Sequence, residues 1–271
     1  MQRWKWVVIL IVAAGCSGPM TPILPGPIDP GPTPTPNNPP RIVSLVVSAE
    51  RVEVGEQVTL TATVLDDETT VDDLKYEWAV PSGTIVGTGR LVKWTAPLGI
   101  TTPAPLAATL TVVDRYPSGV LTLEHRVTSQ SPQVVVEDSV AIVRAMTEKF
   151  LANFVTSSVT PETCIQDFTT SCRGRESERR DIVNNRANYL ILSSKVSVTS
   201  ATVNAGRTRG EVLANCEFTS KKLTDGPDGK AGAIVVATGV CDVDSVYENK
   251  RWWLCESSLR DRNTAGLHFI F

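Results

Sequence analysis

Few side chains in this sequence have the type and spacing to do chemistry. Only two histidines occur, His125 and His268. There is no Cys-x-x-Cys and no histidine near a cysteine, so the tetrahedral nitrogen and sulfur set that zinc prefers is not offered. Asp66, Asp67, Glu68, Asp72 and Asp73 supply oxygens of the kind Ca²⁺ takes. They lack a regular ligand spacing, and a solvated acidic loop is the simpler reading. Arg173, Arg175, Arg179 and Arg180 form a basic run, either an anion site or the solvated start of a helix. Asp167 and Tyr189 are the nearest candidates for proton transfer, but nothing pairs either with a base. No Gly-x-Ser-x-Gly or phosphate loop appears. The expectation is no catalytic residue, no metal and no cofactor. A net charge of -3 leaves no basic footprint for nucleic acid.

The elements that would position these groups fall into two units. Between residues 41 and 137 short β runs alternate with turns. Val58, Leu60, Ala62 and Val64 alternate with Thr59, Thr61 and Thr63, the period of a half-buried strand. Leu74, Tyr76, Trp78 and Val80 repeat the pattern, and Pro81-Ser82-Gly83 and Gly87-Thr88-Gly89 are turn chemistry. About seven strands are expected, with Trp78 as the central core residue.

After residue 138 the period changes. Val140, Val143, Phe150 and Phe154 mark one face of a helix, with Asp138 or Ser139 as its cap. Thr160-Pro161-Glu162 starts a second helix. A third begins near Ser177 with Ile182, Val183, Ala187 and Leu190 as its buried stripe. Strands follow near Lys195–Asn204, Arg209–Lys222, Gly232–Asp244 and Lys250–Ser257. Val212, Ala214, Cys216, Phe218, Val235, Ala237, Cys241, Val243, Trp253 and Cys255 make the apolar face that packs on the helices, so Glu217, Asp242 and Asp244 face water. This unit is expected over 138–258, with a tail over 259–271. Tyr189, Trp253 and Arg251 are the candidate pocket residues if the space between helices and sheet is open.

The N-terminus carries Arg3 and Lys5, nine apolar residues from Trp6 to Ala14, and then Ala13-Ala14-Gly15-Cys16. The apolar run is too short to span a bilayer and suits a signal-peptide core. It resembles the lipobox of bacterial lipoproteins, with Ala13 where leucine is commonest. The resemblance implies removal of residues 1–15, diacylation of Cys16 and, because Ser17 follows rather than aspartate, residence in the outer membrane. Residues 19–40 hold ten of the chain's eighteen prolines, so 16–40 reads as the lipid anchor followed by a semi-rigid polyproline spacer.

The first unit resembles the Ig-like/PKD-type β-sandwich modules of envelope proteins, through Tyr76-Glu77-Trp78, Gly83-Thr84-Ile85, Val92 to Pro97 and Thr109 to Asp114. The second, with Phe150 to Phe154, the Thr160-Pro161-Glu162 start and Arg251-Trp252-Trp253-Leu254, resembles the NTF2-like α+β cone; another helix-on-sheet fold, such as a cystatin-like one, is the alternative. Export makes disulfides the default for Cys164, Cys172, Cys216, Cys241 and Cys255. Cys164 and Cys172 flank the short helix and are expected to pair. Cys216 and Cys241 straddle the Asp225–Gly229 turn and are the other pair, leaving Cys255 as the free thiol. Cys255 lies on the other side of Cys241, so that second choice is close to even. Together these features imply a multidomain, lipid-anchored envelope protein with a binding or scaffolding role. Its partners would be the membrane through the lipid, with envelope proteins or a small apolar ligand besides. The alternative is a small-molecule enzyme or ligand binder that uses the cone.

Overall fold

The computed structural model describes residues 36–172, 174–227 and 229–261. The expected signal segment 1–15, Cys16, the spacer before residue 36, Arg173 and residues 262–271 lie outside the described residues.

The first unit has ten strands: β1 (Arg41–Val47), β2 (Arg51–Glu53), β3 (Gln57–Leu65), β4 (Lys75–Ala79), β5 (Thr84–Val86), β6 (Leu91–Thr95), β7 (Ala104–Leu106), β8 (Thr109–Ser118), β9 (Leu121–Gln130) and β10 (Val134–Glu137). They form sheets of order β1-β3-β6-β5, β4-β8-β9 and β2-β10-β7. The alternation in β3 places Val58, Leu60, Ala62 and Val64 inward, all buried. Ala62 and Val64 meet Leu110 and Val112 of β8 in one core cluster. Val58 and Leu60 join Val92, Trp94 and Val136 in a second cluster.

The tryptophan at the centre is Trp94 rather than Trp78. Trp94 is 0% exposed, and its indole donates to the Ser82 carbonyl at 3.0 Å. Trp78 is only half-buried, donating to the Gly89 carbonyl at 2.9 Å. Both residues alternate correctly in their strands. What separates them is position: β6 lies inside its sheet, between β3 and β5, whereas β4 is an edge strand. The turn beside Trp94 requires Gly83, at φ +91°, where a Cβ would sit 2.3 Å from the Thr95 carbonyl. Trp94→Ala should cost about 3–5 kcal/mol, read as a lowered urea midpoint with unchanged slope. Trp78→Ala should cost clearly less.

The N-terminal chain and the second unit meet this first unit at opposite ends. Asn37 donates to buried Asp114 at 2.5 Å, close to where β3 ends at Leu65 opposite Arg41. The other end of β3, at Gln57, lies near Val54, whose N–H donates to the Glu137 carbonyl, where the chain passes into the second unit. The acidic run is spent locally. Asp66 accepts from the backbone of Glu68 and Thr69, and Asp72 pairs with Arg90 at 3.0 Å. Among the described residues no group of three His, Cys, Asp or Glu side chains could hold a metal ion.

The second unit has α1 (Ser139–Val155), α2 (Pro161–Cys164) and α3 (Gly174–Asn188). The meander β11 (Tyr189–Val203), β12 (Arg209–Lys222), β13 (Ile234–Glu248) and β14 (Arg251–Asp261) follows, in that order. Asp138 caps α1 by accepting from the Ala141 N–H, and Thr160 caps α2. Arg186 satisfies the other end of α1, donating to the carbonyls of Asn153, Phe154 and Thr156 at 3.2, 3.3 and 3.0 Å. Phe150, Phe154 and Phe168 from the helical layer pack with Phe218, Ala214, Cys216 and Val243 of the sheet in one buried cluster. Several sequence expectations need correction here: Val140 and Ala187, expected on buried helix faces, are exposed, and Asp242, expected to face water, is buried. Strand β11 starts at Tyr189, so Leu190 is an exposed strand residue and not part of the helix stripe. Val183 is exposed as well; the buried stripe of α3 is Gly174, Glu178 and Ile182. Strand β14 runs to Asp261, past the boundary expected at 258.

A bulge in β14 reverses its faces. Asp244 pairs with Glu256 but Ser245 pairs with Leu254, so Cys255 is the extra residue. Before it, Trp252 and Leu254 point inward; after it, Ser257 does. The expected inward Trp253 is therefore half-buried, with the Arg251 guanidinium 3.6 Å from its ring centroid.

The bulge also decides the cysteines. Cys172 is bonded to Cys255, with Cα atoms 5.3 Å apart, and among the described residues buried Cys164 is the free thiol. This corrects both the Cys164–Cys172 pair and the free Cys255. Cys164 points into the phenylalanine cluster with Arg186 3.5 Å from its sulfur, and burial pushes its thiol pKa up. Cys172 precedes Gly174, whose backbone lies so close to β14 that a Cβ would stand 2.0 Å from the Cys255 carbonyl. Cys216 and Cys241 are bonded to each other, Cα atoms 6.0 Å apart. They are a diagonal pair, because Cys216 faces Gly239 and Cys241 faces Ala214.

Candidate functional site

The expected pocket residues do not converge. Tyr189 sits where β11 begins, opposite Lys222 at the end of β12. It lines a small pocket of about 200 Å³ with Phe154, Arg186 and Leu190. Arg251 begins β14 beside Glu248, at the other end of the sheet. Asp167, the other candidate for proton transfer, accepts from Lys149 at 2.6 Å and lies 3.8 Å from Arg251. The basic run of α3 is partly neutralised, since Arg179 pairs with Glu176 at 3.0 Å and approaches Glu162 at 3.8 Å.

A dense polar constellation lies at the junction of the two units, centred on Arg51. Strand β2 runs parallel to β10, with Glu53 opposite Glu137, and β10 leads straight into α1. The Arg51 Nε lies 2.8 Å from Glu137, an ion contact more than an aligned hydrogen bond. One terminal nitrogen donates to Ser139 Oγ at 3.1 Å, and both reach the Arg207 carbonyl at 3.3 Å. The guanidinium lies 3.7 Å from the Tyr247 ring centroid and 5.7 Å from that of Trp252. Ser139 uses its hydroxyl fully: it accepts from Arg51 and from the Trp252 indole at 3.2 Å, and donates to Glu53 at 2.5 Å. Glu53 also accepts from the Ser139 N–H at 2.9 Å, so a carboxylate of the first unit sits at the N-terminus of α1, where the helix dipole favours it. Arg207 closes the far side onto Glu53 and Glu56. Burial raises the Glu137 pKa against the pull of Arg51, and burial next to Glu137 raises that of Tyr247.

A groove of about 360 Å³ opens beside this junction. Pro103, Ile142, Ala145, Met146 and Trp252 contribute apolar walls, and Lys149, Arg251 and Lys250 stand with Asp167 and Glu137 around it. Pro103 follows a cis peptide bond. The groove can take a small apolar body with a polar end; it brings no nucleophile and base together.

One buried acid was missed by the sequence reading. Glu178 of α3 is 2% exposed and accepts from the Ser257 N–H at 2.9 Å and its hydroxyl at 2.7 Å. Its other oxygen makes no hydrogen bond among the described residues. Burial pushes its pKa up to about 7, against the two Ser257 hydrogen bonds. The available signal was its spacing, four residues after Gly174 and four before Ile182. Glu178 binds the proton when folded and has lost it when unfolded, between its unfolded pKa near 4.5 and its folded value near 7. Its contribution to stability is therefore full below pH 4.5, declines as pH rises and is gone above about 7. The expected loss across that window is up to about 3 kcal/mol. Glu178→Gln should flatten that part of the stability–pH curve whatever its constant offset, which urea titrations at pH 5 and pH 8 will read.

No protein-family profile and no curated protein matches the sequence. Among solved structures, it is similar to the intermembrane-space region of the chloroplast protein ARC6, at 18% identity over 45% of this chain and 97% of that one, TM-score 0.32. A protein of Novosphingobium aromaticivorans described as a scytalone dehydratase matches at 12% identity over 48% and 91%, TM-score 0.35. Bd1075 of Bdellovibrio bacteriovorus matches at 8% identity over 82% and 94%, TM-score 0.31. All three TM-scores are low, and none of these proteins lends an activity or partner to this chain. No helix among the described residues is long and apolar enough to cross a membrane.

Proposed function

We propose that this chain is a lipid-anchored protein of the bacterial outer membrane, held at Cys16. In this reading an Ig-like/PKD-type stalk module presents an NTF2-like domain that binds or scaffolds other molecules without catalysis. The anchor reading rests on Arg3, Lys5, the apolar run and Ala13-Ala14-Gly15-Cys16. The observation that carries the role is the phenylalanine core of the second unit. Phe150, Phe154, Phe168 and Phe218 occupy the space between helices and sheet, where an enzyme of this architecture would need room for substrate. Glu178, the buried acid of that unit, is engaged with Ser257 and lines none of the grooves described above.

Intact-mass measurement of protein from the membrane fraction tests the anchor. The expected species lacks residues 1–15 and carries a diacylglycerol adduct at Cys16; an unmodified chain overturns it. The ligand-binding alternative is favoured by one feature, the groove beside Trp252 and Met146. Met146→Trp should fill it, abolishing any saturable thermal shift from apolar carboxylates that the parent protein shows.

A further inference from the structure

The first unit carries an arm that its own sheet does not need. Strand β4 pairs with β8 only from Thr109 to Val113, whereas β8 and β9 continue together to Ser118 opposite Leu121. Beyond Asp114 the hairpin is thus a two-stranded projection. Its faces differ. Directly opposed residues share a face, so Tyr116 with Leu123 and Ser118 with Leu121 lie on one side, and Arg115 with Glu124 and Pro117 with Thr122 on the other. At the tip Val120 is 102% exposed, Leu121 64% and Leu123 42%. Leaving a cluster of large aliphatic side chains in water is unfavourable, and such a cluster marks a contact surface.

The place of this arm says what it would touch. His125, on the same face as Tyr116 and stacked on it at 4.8 Å, bonds through Nε2 to the Asn37 carbonyl at 3.0 Å. Asn37 in turn donates to Asp114, opposite His125. The N-terminal chain therefore leaves the sandwich at the base of the arm, on its apolar face, at the end away from the second unit. Cys16 lies twenty-one residues before Asn37, a reach of at most about 75 Å for any chain of that length. The Arg115–Glu124 pair at 3.4 Å stands on the opposite face, and Tyr116 has the amphipathic ring suited to a headgroup boundary.

The geometry points to a second membrane contact: the β8–β9 tip, through Val120, Leu121 and Leu123, inserts into the lipid surface to which Cys16 is attached. The inference rests on the lipid-anchor reading for its choice of occupant, but the tip can be tested separately. Val120 lies in an open turn, so Val120→Cys with an environment-sensitive fluorophore leaves the fold intact; peptide mapping fixes the dye position. The full-length protein is reconstituted in phosphatidylcholine–phosphatidylglycerol vesicles. The expected result is a blue-shifted emission, loss of iodide quenching and quenching by spin-labelled lipid. The same dye at Leu98, exposed beside Gly55 at the other end of the sandwich, should stay aqueous. Leu121→Asp with Leu123→Asp should return the Val120 probe to an aqueous signal.

Intact mass on the same sample separates the two ideas. An acylated protein whose Val120 probe remains aqueous overturns the tip and leaves the anchor. An unacylated protein whose probe still responds to added vesicles supports the tip and overturns the anchor. A shift that appears without lipid and grows with protein concentration, or only with added envelope protein, overturns the lipid assignment in favour of a protein partner.

Discussion

Replacing Arg51 with alanine is expected to destabilise the protein by about 3–5 kcal/mol, because it leaves a buried carboxylate without its counter-charge. The side chain of Glu137 is 3% exposed, and Arg51 is its partner at 2.8 Å. The same change removes a donor to Ser139 and to the Arg207 carbonyl and uncovers the Tyr247 ring. Lysine should not rescue it, since one ammonium cannot reproduce a planar fork that also stacks on an aromatic face. The deficit carries a pH signature. Burial already raises the Glu137 pKa, and Arg51 opposes that rise. Without Arg51 the folded-state pKa climbs further above the unfolded value. The deficit is then largest where the folded carboxylate must be ionised, and it shrinks as pH falls and Glu137 takes up its proton. Urea titrations at pH 5 and pH 8, followed by tryptophan fluorescence, will show it. The two units are also expected to unfold in separate steps once the junction is cut.

Removing the Cys172–Cys255 bond by the double change to serine should cost about 4.5 kcal/mol by the chain-entropy relation, given a sequence separation of 83. The Cys216–Cys241 bond, with a separation of 25, should cost less, about 3.5 kcal/mol. The first bond ties the chain before α3 to β14, where Gly174 and Glu178 also dock, so its loss should raise amide exchange in α3 before the rest of the domain. Peptide mapping under non-reducing conditions should recover Cys172 with Cys255. A Cys164–Cys172 peptide would overturn the pairing.

The parts legible in the sequence are those governed by local periodicity. The alternation from Val58 to Val64, a cap at Asp138 or Ser139, the start at Thr160-Pro161 and the inward set Val212, Ala214, Cys216 and Phe218 all follow from neighbours within a few residues. The missed parts depend on an event elsewhere in the chain. One extra residue at Cys255 turned Trp252 inward and Trp253 outward and gave Cys172 its partner; nothing in the local residue types marks a bulge there. The choice of Trp94 over Trp78 depends on which strand ends at a sheet edge. Glu178 carries no local signal of burial, because burying a carboxyl is costly, and only the packing of α3 on β14 brings Ser257 to it. The Arg51 junction was invisible because it joins residues about two hundred positions apart, Arg51 and Tyr247.

The parallel pair β2 and β10 has a mechanical consequence. The N-terminal chain enters ahead of β1 and β2, and the second unit leaves from the end of β10, at the opposite pole of the first unit. A pull between Asn37 and Asp138 therefore drags these two neighbouring strands in opposite directions along their length. Their cross-strand bonds carry that load together rather than opening one after another, as they would in a hairpin peeled from its ends. Between those two points the first unit therefore behaves as a stiff link that resists extension until these bonds give together.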